Sequence, residues 1–167
     1  MIQVYTGNGK GKTTAAFGLA LRAAGAGLNV YIGQFVKGRS YSEVKILNKI
    51  RNIKLEQFGR KCFIRKLPEK IDIAMACAGL ERINQVLSSK KFNLIILDEI
   101  NIAIKLKLIP LESVLETIKL ASKNIELVLT GRDAHLKVID LADLVSDIKD
   151  IKHYYNKGQR ARKGIEF

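Results

Sequence analysis

The segment Thr6-Gly7-Asn8-Gly9-Lys10-Gly11-Lys12-Thr13-Thr14 constrains what this chain can fold into more than any other. It follows the apolar run Met1-Ile2-Gln3-Val4-Tyr5 and leads into Thr14-Ala15-Ala16-Phe17-Gly18-Leu19-Ala20, which reads as helix. Strand, glycine loop and helix, in that order, form the context in which a loop wraps a phosphate. Glycines let successive backbone N–H groups point at one anion, and the helix N-terminus adds partial positive charge. Lys12 supplies a full charge, and the Thr13 hydroxyl is a ligand for Mg²⁺. Gly7, Asn8, Gly9, Lys10, Gly11, Lys12, Thr13 and Thr14 are therefore the candidate nucleotide-binding residues.

The spacing departs from the usual phosphate loop, in which a glycine is followed by four residues and then Gly-Lys-Ser/Thr. Counting back from Gly11, that first position holds Thr6; the glycine comes one residue late, at Gly7, and Gly9 is extra. A loop altered at its first glycine need not seat a nucleoside triphosphate in the ordinary pose. The reading is a nucleotide site, without commitment to γ-phosphoryl chemistry.

At 167 residues and 47% hydrophobic content, residues 1–167 are expected to form a single domain with its own core. No apolar run reaches membrane-spanning length, the first strand starts without a leader, and Cys62 and Cys77 make no metal or disulfide pattern. A cytoplasmic protein without membrane contact is the expectation. The net charge is +13, densest between Lys45 and Lys70. Such a field favours anionic partners such as nucleotides, phosphate-bearing cofactors or nucleic acid, and is equally read as solvated surface.

Apolar runs at Ile2–Tyr5, Val30–Phe35, Ile53–Phe58, Leu94–Leu97, Leu127–Thr130 and Leu144–Ile148 read as strands. Helical patterns fall at Thr13–Ala26, Pro68–Leu87 and Pro110–Ser122. The alternation predicts an α/β, three-layer, RecA-like phosphate-loop fold with a mostly parallel sheet of five or six strands. Ligands of such sheets lie at the carboxyl ends of the strands. There the sequence places Gln34-Phe35-Val36-Lys37-Gly38, Leu97-Asp98-Glu99 and Thr130-Gly131-Arg132. The acidic pair either holds Mg²⁺ or caps the next helix. Arg132 suits a phosphate; Arg22 either reaches the same phosphates or is a solvated helix charge. His135 and His153 are the only histidines, and no pattern marks a general base or protein nucleophile.

Together with Asp140-Leu141-Ala142-Asp143 and Lys163-Gly164-Ile165-Glu166, these segments closely resemble, in order, the phosphate-loop type of ATP:cob(I)alamin (corrinoid) adenosyltransferase. The resemblance implies transfer of the 5′-deoxyadenosyl group of ATP to the cobalt of a reduced corrinoid, with triphosphate leaving. It implies ATP lying in the loop in reverse, in line with the odd spacing. Co(I) is itself a strong nucleophile, in line with the missing base. It implies Lys12, Glu99 and Arg132 as catalytic residues; the loop, Arg22 and Arg132 on phosphate; Thr13 and Glu99 on Mg²⁺, with Asp98 behind them. A homodimer, an electron-donating flavoprotein and no nucleic-acid partner follow from the same resemblance. Familiar members carry a covering segment before the first strand and a Phe-x-Trp wedge against the corrinoid. This sequence begins at the strand and has no tryptophan, so Phe58 and Phe63 are the candidates to face the corrinoid, or are ordinary core. A phosphate-loop ATPase or switch protein acting on an anionic partner, and a small-molecule kinase, are the alternatives.

Overall fold

The computed structural model describes residues 1–39, 41–61, 67–121 and 123–167. Six strands form one sheet: β1 Ile2–Thr6, β2 Val30–Phe35, β3 Ile53–Phe58, β4 Leu94–Asp98, β5 Glu126–Thr130 and β6 Leu144–Asp147. Their order is β3-β2-β4-β5-β1-β6, and every pairing is parallel. The helices are α1 Lys12–Gly25, α2 Ser42–Leu47, α3 Lys70–Ser89, α4 Ile100–Lys105, α5 Leu111–Leu120 and α6 Leu136–Asp140, with a 3₁₀ turn at Tyr154–Lys157. All six sequence-predicted strands are present, and the three predicted helices lie within a few residues of their expected bounds. Pro68 stands before the Glu69 N-cap of α3 and Pro110 is itself the N-cap of α5, so neither proline is the first helical residue.

Period-2 alternation explains the three layers. In β4, Ile95 and Leu97 point into one core with Leu127, Leu129, Tyr31 and Phe35, under α3, α4 and α5. Leu94 and Ile96 point the other way, with Val30, Ile32 and Val128, under Ala16, Phe17 and Ala20 of α1. Strands covered on both faces must be apolar throughout, which is why β4 reads Leu-Ile-Ile-Leu before its carboxylate. At the edge, β6 is exposed along its whole length.

Helix α1 stops in a Schellman arrangement: Leu28 N–H donates to the Ala23 carbonyl at 3.0 Å and Gly27 N–H to Ala24 at 3.0 Å, with Gly27 at φ 81°. On the other face, α3 lies so close to β3 that a Cβ at Gly79 would stand 2.5 Å from Phe58 Cγ and 2.7 Å from Phe58 Cβ. The Phe58 ring also packs on Phe35 at 5.4 Å between centroids. Glycine is thus what allows α3 to seat against the sheet.

The buried polar residues Thr6, Gln34, Asp98 and Thr130 stand at or near the carboxyl ends of four strands, and Lys12 and Asn101 open the helices that follow. Six of the eight buried polar residues among those described thus gather at one edge of the sheet, the edge where ligands of parallel sheets lie.

A paired substitution tests the packing account. Gly79→Ala is expected to cost about 1–3 kcal/mol through overpacking against Phe58, despite alanine's better helix propensity. Gly18→Ala, where nothing lies within 4 Å of the added Cβ, is expected to gain up to about 1 kcal/mol. Urea denaturation of both variants gives the two signs.

Candidate active site

Topology assembles the site. Because β5 lies between β1 and β4, the Thr130-Gly131-Arg132 turn stands between the glycine loop and the Asp98-Glu99 pair. β2 adds Gln34 and Lys37 from the other flank of β4. The after-strand segments singled out in the sequence therefore converge on one edge.

The loop enters α1 through Gly11 at φ 118°, and the first turn of α1 carries no acidic residue, leaving its N-terminus electropositive. Lys12 folds back through the loop, its Nζ donating to the carbonyls of Gly7 and Gly9 at 2.6 Å each. Burial, followed by the neighbouring Arg132, holds this ammonium below the usual lysine range. Arg132 reaches the other rim and donates to the Asn8 carbonyl at 3.4 Å. Thr13 stands at the mouth and Thr14 is exposed on the first turn.

The two unusual positions of the loop are explained by packing. Thr6 holds the neighbouring loop, its hydroxyl accepting from Ala134 N–H at 3.2 Å. Gly9 N–H donates to the Ile148 carbonyl at 2.7 Å, and a Cβ at Gly9 would lie 2.6 Å from the Lys149 carbonyl oxygen. The extra glycine is thus required by the chain leaving β6, and its N–H is engaged there rather than turned to the cradle. The same chain continues across the loop. Lys10 Nζ donates to Tyr154 Oη at 2.7 Å and Glu166 Oε1 at 3.0 Å. Arg162 stacks on the Tyr154 ring at 5.0 Å, and Ser42 at the start of α2 donates to the Phe167 carbonyl at 3.2 Å. The Tyr154 hydroxyl, and then Arg162, hold the Glu166 carboxyl far below the usual carboxylate range. Glu166 of the Lys163–Glu166 segment, with Tyr154, therefore braces the glycine loop at Lys10.

The acidic side centres on Asp98, which is fully buried. Its Oδ1 accepts from Thr13 Oγ1 at 2.8 Å and Thr130 Oγ1 at 2.7 Å. Its Oδ2 accepts from Gln34 Nε2 at 3.0 Å and Lys37 Nζ at 2.9 Å. Burial alone would raise this carboxyl; Lys37 and the hydrogen bonds outweigh it and hold it below the usual range. The same balance, read from Lys37, leaves that ammonium raised, Asp98 and Glu99 outweighing its burial. Glu99 adopts φ 62°, a strained conformation for a non-glycine residue, pinned by its N–H donating to Thr130 Oγ1 at 3.0 Å. It is the N-cap of α4 but makes no side-chain cap bond, and its Oε1 lies 3.7 Å from Lys37 Nζ. Burial pushes Glu99 above the usual carboxylate range; Lys37 pulls it back and Asp98 adds to the rise.

The structure brings Gly7 to Thr13, Asp98, Glu99 and Arg132 together. It does not bring Arg22, which lies in the last turn of α1, roughly 15 Å along the axis from Lys12 at 1.5 Å per residue. Phe58, partly buried, packs against Phe35 and Gly79, a contact that seats α3 and accounts for it as core packing. Phe63 lies outside the described residues. Sequence reasoning left Lys37 and Gln34 without roles, although both fall in the after-strand position where ligands gather.

A family model described as ATP:corrinoid adenosyltransferase BtuR/CobO/CobP matches residues 1–167. The chain belongs to this family. Among curated relatives of this adenosyltransferase, the corrinoid adenosyltransferase CobA of Salmonella typhimurium is 32% identical over 167 residues, covering 100% of this chain and 85% of that protein. The corrinoid adenosyltransferase of Pseudomonas aeruginosa is 32% identical over 185 residues, covering 100% and 83%. A crystal structure of a KaiC-like protein from Pyrococcus horikoshii overlays with TM-score 0.56 at 17% identity, covering 87% of this chain and 71% of that one. That likeness is one of fold and places the adenosyltransferase sheet in the RecA-like phosphate-loop class.

Asp98→Asn would leave Lys37 without its closest charge partner and turn an amide donor toward existing donors. A loss of about 3 kcal/mol in unfolding free energy is expected, at the lower end for a broken buried pair because Lys37 keeps 20% side-chain exposure. Chemical denaturation measures it; an unchanged midpoint would mean the network carries no stability.

Proposed function

We infer that this adenosyltransferase moves the 5′-deoxyadenosyl group of ATP onto the Co(I) centre of a reduced corrinoid. The electron pair of Co(I) forms the bond to C5′, the C5′–O bond breaks, and triphosphate leaves with that bond's electrons. Cobalt is formally oxidised from Co(I) to Co(III), and no proton has to be removed.

The observation that carries this reading, beside family membership, is what surrounds the phosphate cradle. Cationic groups and donors for a polyphosphate are abundant. The two histidines, by contrast, serve as N-caps: His135 Nδ1 accepts from Lys137 N–H at 3.2 Å and His153 Nδ1 from Tyr155 N–H at 3.0 Å. With both histidines used as N-caps, such a cradle suits a substrate that brings its own nucleophile. Lys12, Arg132 and the N-terminus of α1 are assigned to the triphosphate.

Mg²⁺ fits the donor set. The Lys37 ammonium lies among Thr13 Oγ1, Asp98 Oδ2 and Glu99 Oε1, so these hard oxygens already form a cation site. Thr13 and Glu99 would hold the ion, with Asp98 orienting Thr13; when bound it would neutralise charge on the polyphosphate. Because Co(I) must be supplied by reduction, an electron-donating flavoprotein is the proposed partner. A homodimer and a cytoplasmic location complete the reading. Among the described residues no helix is long and apolar enough to cross a membrane.

Two outcomes are expected. With ATP and reduced corrinoid, the inorganic product resolved by ion chromatography is intact triphosphate; stoichiometric orthophosphate without an adenosylated product would overturn the assignment. Lys12→Ala is expected to lower kcat by roughly 10²-fold, the loss of one donor acting on developing charge. Near-normal turnover of that variant at saturating ATP would move the site elsewhere.

A further inference from the structure

We propose that Lys37 is a resident counter-ion that keeps the divalent-cation site closed until a nucleotide arrives. The inference rests on the reading of Thr13 and Glu99 as metal-holding residues. Lys37 Nζ lies 2.9 Å from Asp98 Oδ2, 3.2 Å from Thr13 Oγ1 and 3.7 Å from Glu99 Oε1. Oxygens of three residues, one on α1 and two at the end of β4, converge on one ammonium, the arrangement of a cation site filled by a side chain. Asp98 and Glu99 are adjacent in sequence and both largely buried. Without a cation between them they would repel, and Lys37 supplies that cation.

The same oxygens cannot hold an ammonium and a divalent ion together. A divalent ion entering alone must displace a positive charge from two carboxylates, leaving Glu43 as the remaining carboxylate that acts on it. Arriving with a polyphosphate, it meets a different balance, because the phosphates offer Lys37 a new anion a short swing away. Lysine suits such an exchange, being a point charge on a flexible stem. The backbone beneath it is fixed. Val36 holds φ 64°, unusual for a β-branched residue, and a Cβ at Gly38 would lie 2.6 Å from the Arg60 carbonyl carbon. The proposed exchange needs a movement of the side chain only. Lys37 in this account couples metal entry to nucleotide entry.

The test is Mn²⁺ titration followed by the EPR signal of the free ion, on full-length protein without nucleotide or corrinoid. Wild type and Lys37→Arg, which keep the charge, are expected to bind Mn²⁺ weakly. Lys37→Met is expected to bind at least about tenfold more tightly, since a full charge a few ångströms from the ion is removed. Lys37→Gln keeps a donor for Asp98 and is expected to follow the Met variant should that one fail to fold. Adding Glu99→Ala to either neutral variant is expected to abolish the gain, which locates the ion. Nucleotide-free wild type binding Mn²⁺ as tightly as the neutral variants overturns the proposal, and so does a gain that survives loss of Glu99. Triphosphate formation by wild type is scored separately: normal adenosylation with equal Mn²⁺ affinity across the series would sink the role of Lys37 and leave the reaction assignment standing.

Discussion

The active edge of this molecule depends on one buried carboxylate. Asp98 closes the central strand β4, and its two oxygens receive Thr13 from α1, Thr130 from β5, and Gln34 and Lys37 from β2 and its following turn. Three separate segments are thereby fixed to the end of β4. A charge at that depth is tolerable only because each lone pair has a donor and one donor is cationic. The arrangement sets where Thr13 stands at the mouth. Through Thr130, it also pins the strained backbone of Glu99.

A second layer of order comes from the far end of the chain. A glycine-rich loop is costly to order, and a cradle left loose would lose affinity on binding. Here the chain after β6 packs on Gly7 and Gly9, and Tyr154 and Glu166 hold Lys10. The segment then runs on to α2, where Ser42 meets the Phe167 carbonyl. Residues distant in sequence thus brace the loop on the side away from the Asp98 network.

Much of this was legible in the sequence, for identifiable reasons. Parallel strands buried on both faces must be apolar runs, so Leu94–Leu97 and Val30–Phe35 announced themselves. Ligand residues gather after such strands, so Asp98, Glu99 and Arg132 stood out as candidates from their position and residue type. The short helices α2, α4 and α6 escaped because pieces of five or six residues carry too little helical period. The role of Gly9 was hidden because its reason, the Ile148 and Lys149 carbonyls, lies far along the chain. Of the two readings of Arg22, helix rise favours the solvated helix charge, since ten residues carry it to the last turn of α1. Lys37 carried no role in the sequence because the oxygens around it, on Thr13, Asp98 and Glu99, lie far from it along the chain.

The central claim is that this edge joins the adenosyl carbon of ATP to a corrinoid cobalt. The most direct measurement is anaerobic incubation of the protein with Mg²⁺, chemically reduced corrinoid and ATP radiolabelled in its adenosine. The visible spectrum and the chromatographic position of the label are followed together. The account requires the light-sensitive spectrum of a Co–C bond to grow in with the label migrating on the corrinoid, and photolysis to release both. Label that stays wholly on adenine nucleotides while the corrinoid spectrum remains that of the unalkylated form would contradict it.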